Sequence, residues 1–216
     1  MSKPVPDAAT DATPIEQADV KVAQAAAEVQ DAPPVRALAG IAEIGDQPPL
    51  LILSGLTLAF GLWRRDRRLA RAGARMLAAE LVSIGIKDVM KRSVARTRPE
   101  MLIDEGRYEM KPGGPYEGKW NSFPSGHTAG AVAVSRAMAR EFPGARLPAY
   151  AAAATIAVAQ VPSCNHYPSD IGAGAVIGLV SDWLVDRGVQ ALAPRLERRE
   201  RRIMLDRREA AARLVS

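Results

Sequence analysis

The sequence predicts an all-α protein, an integral-membrane helical bundle of about five spans with an amphipathic interfacial helix before the first span. Three observations carry that prediction. The 216 residues are alanine-rich and only 5% aromatic, which favours helix over sheet. Uncharged stretches such as Gln47 to Trp63 and Leu147 to Ser169 alternate with arginine-rich segments, the pattern of spans and cytoplasmic loops. The single cysteine, Cys164, excludes an internal disulfide, so apolar packing must hold the chain together.

In chain order, residues 1–35 are rich in Ala, Asp and Pro. Lys3 and Lys21 stand there against Asp7, Asp11, Glu16, Asp19, Glu28 and Asp31, which predicts a disordered acidic tail with at most a frayed helix near Val20 to Val29. No basic segment followed by an apolar core marks a cleavable signal peptide. Leu38, Ile41 and Ile44 recur at helical spacing until Pro48-Pro49, and form the interfacial helix.

The first span, Gln47 to Trp63, sits at the lower limit for crossing a bilayer. Arg64, Arg65, Arg67, Arg68, Arg71 and Arg75, opposed only by Asp66, mark a cytoplasmic loop rather than a nucleic-acid patch. Ala72 to Val89 is a weaker span, because Glu80, Lys87 and Asp88 must face protein, water or a site. Glu100 to Trp120 reads as loop, broken by Gly106, Pro112, Gly113, Gly114, Pro115 and Gly118, with Tyr108, Tyr116 and Trp120 suited to a membrane interface.

Thr128 to Phe142 and Leu147 to Pro162 form a hairpin about Pro143-Gly144, edged by Arg136, Arg140 and Arg146. Ile171 to Val185 closes the bundle, with Gly172, Gly174 and Gly178 allowing close helix approach and Asp182 pairing near the cytoplasmic end. Past Arg187 the chain is a basic tail of interleaved charge, suited to a solvated helix at anionic headgroups. The expected units are therefore the tail 1–35, a membrane-embedded domain 36–187 and a basic cytoplasmic tail 188–216. The basic segments share one side of the membrane, and the stretches that carry chemistry share the other, the periplasm if the membrane is a bacterial inner one.

Those stretches are three. Pro124-Ser125-Gly126-His127 opens an apolar run, so free backbone N–H groups at a helix start would favour an anion, with Ser125 either a cap or a further donor and Gly126 permitting close approach. Lys91 and Arg98 are seven residues apart and project from one face of a helix that Pro99 ends, a pairing suited to a phosphate. In His166-Tyr-Pro-Ser-Asp170 a carboxylate follows an imidazole by four residues, close enough to orient the ring as a nucleophile. The chain has 2 histidines, and both fall in these stretches.

Lys91-x6-Arg98-Pro99, Pro124-Ser125-Gly126-His127 and His166-x3-Asp170 together resemble the signature of the type 2 phosphatidic acid phosphatase and vanadium haloperoxidase superfamily, from about Gly45 to Val185. The resemblance implies a membrane phosphatase that hydrolyses a lipid or isoprenoid phosphate or diphosphate through a phosphohistidine. It implies His166 as nucleophile, Asp170 as its orienting group and His127 as the acid for the leaving oxygen. Lys91, Arg98, Ser125 and Gly126 would hold the phosphoryl oxygens, with no metal ion, no other cofactor and no nucleic acid. Nothing in the sequence sets an oligomeric state.

One position departs from the pattern. Gln160 stands six residues before His166, where the family carries arginine, and brings hydrogen bonds without charge or a guanidinium fork. Either Gln160 serves as a weaker substrate-binding group, or Arg92 or Arg96 moves in, or the chain is an impaired enzyme that binds phospholipid headgroups. A vanadate-dependent haloperoxidase is the further alternative. Cys164 lacks the downstream arginine of a cysteine-based phosphatase and reads as site wall.

Overall fold

Thr13 starts the first helix, α1 (Pro14–Ala27), with a capping box in which Thr13 and Glu16 bond each other's backbone N–H. The computed structural model describes residues 12–114 and 118–213. After α1 come α2 (Pro33–Ala42), a 3-10 turn Glu43–Gly45, and α3 (Gln47–Trp63). Asp66 then caps α4 (Arg67–Ser93), its carboxylate accepting from the Arg68 and Leu69 N–H groups. A short ribbon follows, in which β1 (Val94–Arg96) pairs antiparallel with β2 (Met110–Pro112) around the intervening helix α5 (Pro99–Glu105). The bundle closes with α6 (Gly126–Glu141), α7 (Arg146–Ala159) and the long α8 (Pro168–Arg213).

Helix α6 is the centre because its side chains are small. Ala129, Ala133 and Ala137 are buried, and Ala133, Val134 and Ala137 pack with Leu50, Met76 and Ala79 of α3 and α4. On the α7 side Ala131 meets Ala153 and Ile156. The approach of α8 is closest at two of the three expected glycines: a Cβ on Gly174 would lie 2.5 Å from the Ser125 carbonyl oxygen, and one on Gly178 2.5 Å from that of Ala129. Gly172 meets nothing within 4 Å.

The expected membrane spans are not found: among the described residues no helix is long and apolar enough to cross a membrane. Uncharged α3 has 17 residues, and at about 1.5 Å per residue it falls short of a hydrocarbon core of roughly 30 Å. Helices α6 and α7 are shorter still, at 16 and 14 residues. Helix α4 has the length, 27 residues, but is studded with charge from Arg67 to Arg92. The chain is mostly helical as expected, but the five-span integral-membrane bundle is overturned, because the uncharged runs lack the length of a span and the long helix α4 lacks the apolarity.

Three local expectations also change. Lys91 and Arg98 do not share a helix face, since α4 stops at Ser93 and Arg98 is the N-cap of α5. Pro99 starts a helix rather than ending one, as its fixed φ allows at a first helical position. Part of the expected loop Glu100 to Trp120 is thus α5 and β2, and Tyr108, expected at an interface, is 3% exposed in a core cluster with Val20, Leu102 and Tyr167. Within the expected disordered tail, Pro14–Ala27 is helix with Asp19, Val20 and Ala23 buried, because α1 has an apolar stripe that lands on that cluster. Residues 1–11, residues 115–117 with Pro115 and Tyr116, and residues 214–216 lie outside the described residues.

Candidate active site

Two helix starts face each other at one end of the bundle. Ser125 is the N-cap of α6: its Oγ accepts from the Thr128 N–H at 3.4 Å and lies 3.0 Å from Thr128 Oγ1. The Ser125 N–H donates to the Asp170 carbonyl at 3.1 Å, which ties this start to that of α8. The side chain of Lys87 lies beneath Gly126, where an added Cβ would sit 3.2 Å from its Cδ.

At the second start Pro168 takes the first helical position and Asp170 lies in the first turn, fully buried. Asp170 Oδ2 accepts from Ser122 Oγ at 2.6 Å and from the Tyr167 N–H at 2.9 Å, while Oδ1 accepts from Arg96 Nη1 at 2.6 Å. Burial pushes this carboxyl up, but His166, the Arg96 guanidinium and the Ser122 hydroxyl more than offset it and hold it down at about 2.

His166 is 3% exposed, and its Nδ1 stands 3.8 Å from Asp170 Oδ2, an ion-pair distance longer than a hydrogen bond. Burial is the chief cause that lowers the His166 pKa, with Arg98 and Lys91 adding to it and Asp170 opposing. His127 is lowered by burial too, with Asp46 and Glu43 opposing and Arg98 and Lys91 reinforcing. Both cations therefore lie within electrostatic reach of both imidazoles. Lys91, whose Nζ donates to the Asn121 carbonyl at 3.0 Å, is driven down to about 8 by burial and by Arg98 and Lys87.

The structure thus brings together Lys91, Arg98, His127, His166 and Asp170, with Ser125 and Gly126 beside them. Gln160 is not turned among them. Its side chain donates to the Ile156 carbonyl and accepts from Asn165 Nδ2, both at 3.4 Å, and its backbone carbonyl receives the N–H groups of Asn165 and His166 at 3.2 Å. Arg96 does not fill the place of a third phosphate cation, since Asp170 and Asp19 hold it. Cys164 is buried, and burial pushes its thiol up to about 11, consistent with a wall residue. The carboxylates of Glu43 and Asp46 and the His127 ring put ligand-type atoms within 4.8 Å of one another, at the corner that follows α2.

Chemically, the cluster offers an oxyanion two cations and a helix start, an imidazole backed by a carboxylate, and a second imidazole within reach of the same charges. A family model described as the PAP2 superfamily matches residues 72–193. The chain belongs to the PAP2 superfamily. All three motifs fall inside the matched region.

Among curated relatives, the chain is 32% identical over 106 residues to lipid A 1-phosphatase of Rhizobium etli, covering 49% of this chain and 45% of that protein. The lipid A 1-phosphatase of Rhizobium johnstonii matches at 32% over 106 residues, covering 43% of its length. Each match spans less than half of the relative. Among solved structures, Aquifex aeolicus LpxE superimposes with a TM-score of 0.60 at 18% identity, covering 78% of this chain and 94% of that one. The transmembrane PAP2-type phosphatidylglycerolphosphate phosphatase of Bacillus subtilis gives 0.61 at 21%, covering 86% and 91%. These two likenesses show the fold.

Sequence reasoning missed three residues around Asp170. Ser122 is adjacent to a motif and could have been found there. Arg96 was weighed only as a stand-in for the missing arginine. Asp19 lies before the region matched to the PAP2 superfamily, and no local pattern announces it.

Proposed function

We propose that the chain hydrolyses a lipid or isoprenoid phosphate or diphosphate, with His166 as the transient phosphoryl acceptor. The observation that carries this reading is the hydrogen bond from the Ser125 N–H to the Asp170 carbonyl at 3.1 Å, which joins the helix start that bears His127 to the one that sets Asp170 behind His166 at 3.8 Å, with the charges of Lys91 and Arg98 acting on both imidazoles. Asp170 draws the proton to Nδ1, which leaves the Nε2 lone pair to attack phosphorus. As the N–P bond forms, the bond to the leaving oxygen breaks, and His127, whose imidazolium the negative charge of the bound phosphate favours against the burial that lowers its pKa, gives that oxygen its proton. Neutral His127 then takes a proton from water, whose oxygen attacks the phosphohistidine, and inorganic phosphate leaves with His166 restored. Lys91, Arg98 and the first-turn N–H groups of α6 stabilise the equatorial oxygens, where charge accumulates. On this reading no step requires a metal ion.

The relatives named as lipid A 1-phosphatases make the 1-phosphate of lipid A the first substrate to try, with phosphatidate, phosphatidylglycerophosphate and isoprenyl diphosphates beside it. We place the work at a bacterial inner membrane with the site toward the periplasm. The B. subtilis neighbour is a transmembrane phosphatase, and exposed Leu56, Phe60, Trp63, Leu147 and Trp183 give this chain apolar surface for lipid contact.

A second reading, headgroup binding without turnover, is favoured by Gln160, whose amide is spent on Ile156 and Asn165. Phosphate release from these lipids by purified protein decides between the two. Release with EDTA present supports the hydrolase, whereas lipid binding without release, and turnover gained in Gln160→Arg, would support the binder.

A further inference from the structure

The buried arginine behind Asp170 has a second carboxylate on it, from a helix that neither the motifs nor the family match includes. Arg96 is 1% exposed and its guanidinium is divided by direction. Nη1 donates to Asp170 Oδ1 at 2.6 Å and to Ser169 Oγ at 2.7 Å, whereas Nη2 donates to Asp19 Oδ2 at 2.8 Å and to the Tyr108 hydroxyl at 3.0 Å. Asp19, on α1, is itself 3% exposed and also accepts from the Ser169 N–H at 3.1 Å and from the Ser169 hydroxyl. The ring of Tyr167 lies under the guanidinium, 4.2 Å from its carbon. The same helix reaches the network a second time, since the Tyr108 hydroxyl donates to Glu16 Oε1 at 2.8 Å.

We propose that Asp19 is a positioning residue of the active site, acting through Arg96 on the carboxylate that orients His166. A buried guanidinium facing Asp170 alone would spend its full charge on that carboxylate and weaken its hold on the His166 proton. Asp19 takes part of that charge and fixes the fork, so Asp170 remains a strong acceptor toward the imidazole. Helix α1 is then a component of the site rather than a tail, and α1 leaving its seat would slow turnover without touching the phosphate ligands. The proposal rests on His166 as nucleophile.

The groups facing His166 are Asp170, Arg98 and Lys91, and those facing Arg96 are Asp170, Asp19, Tyr108, Tyr167 and Glu16. Removing the Asp19 charge leaves the surroundings of the ring more positive, which disfavours the imidazolium. In Asp19→Asn the His166 titration should move to lower pH by roughly 0.5 to 1 unit. The fall in kcat should be about tenfold with KM changed less than about twofold. Asp19→Glu, which restores the charge, should return both toward wild type.

Because the chain has 2 histidines, ring NMR of full-length protein follows both titrations, assigned with His127→Gln. A His166 titration shifted downward in Asp19→Asn with His127 unmoved supports the proposal, even if no lipid phosphate is hydrolysed, a result that would sink the proposed activity instead. An unshifted His166 titration in folded Asp19→Asn overturns it. Should that variant fail to fold, Glu16→Gln removes the half-buried charge at the Tyr108 end of the network. It should shift His166 in the same direction by less, and no shift would likewise overturn the proposal.

Discussion

Where α3 turns into α4, Arg75 meets Glu141 at 3.0 Å and Asp186 at 2.8 Å, and Arg140 meets Asp182 at 2.8 Å and Asp186 at 2.9 Å. At the opposite end of α4, among the described residues, Lys91 bonds only the Asn121 carbonyl and Arg98 Nε is buried without a partner. Among the described residues no carboxylate lies within ion-pair distance of Lys91 or Arg98. The charges are alike and their surroundings are opposite. The hydrogen bond to Asp182 raises the Arg140 pKa, while burial lowers those of Lys91 and Arg98. Cations matched by carboxylates hold helices together, and cations held half-buried without them are poised for an anion brought from outside.

The strongest way to break that contrast is at the acceptor itself. His166→Ala should remove turnover of any lipid phosphate by more than about 10³-fold and abolish an acid-labile phosphoenzyme after quenching. It should leave binding of inorganic phosphate intact, since the cations remain. Turnover retained in this variant would sink the assignment. Next in size, Arg98→Ala should cost on the order of 10²–10³ in kcat/KM, the scale of a lost oxyanion donor, with little change in melting temperature because no carboxylate is orphaned.

Arg140→Ala should show the reverse. Asp182 is 2% exposed and would keep only Arg136, so a loss of about 1–3 kcal/mol in stability is expected with kcat/KM unchanged within about twofold. Thermal or denaturant unfolding beside phosphate release checks both halves. Equal kinetic damage from Arg140→Ala and Arg98→Ala would remove the distinction between the two ends.

The site was legible in the sequence where its logic is local. His166 and Asp170 are four residues apart, and Ser125 stands just before the helix that His127 enters, so spacing made their nearness legible, whereas their roles came from the family resemblance. The hairpin of α6 and α7 followed from Pro143-Gly144, and it returns the chain to the face of His127. What was not legible is long-range: the Arg96 bonds to Asp19 and Asp170 span 77 and 74 residues, and buried ion pairs leave no periodicity. The ribbon of β1 and β2 has strands of three residues, too short for alternation to show. Uncharged runs in a sequence report composition, whereas crossing a bilayer needs length and apolarity in one helix, which no helix among the described residues combines. At Gln160 the sequence points to the amide, but not to the carbonyl, which receives the His166 N–H at 3.2 Å.

The smallest effect expected is a pH dependence that belongs to one end alone. Lys91 is driven from 10.5 to about 8, so its proton is lost as pH rises through 8, and the site then loses one of the two cations proposed to hold the phosphate. KM for a lipid phosphate should rise severalfold between pH 7 and 9, and Lys91→Arg should flatten that rise, because a guanidinium stays charged. The stability sign runs the other way: between about 8 and 10.5 the unfolded chain binds the proton more tightly than the folded one, so this group's contribution grows as pH rises. Weaker substrate binding with a more stable fold over one pH interval is an outcome that paired cations do not give. The Arg140 end should show neither, and a KM flat to pH 9 in wild type would mean that Lys91 is matched by a charge after all.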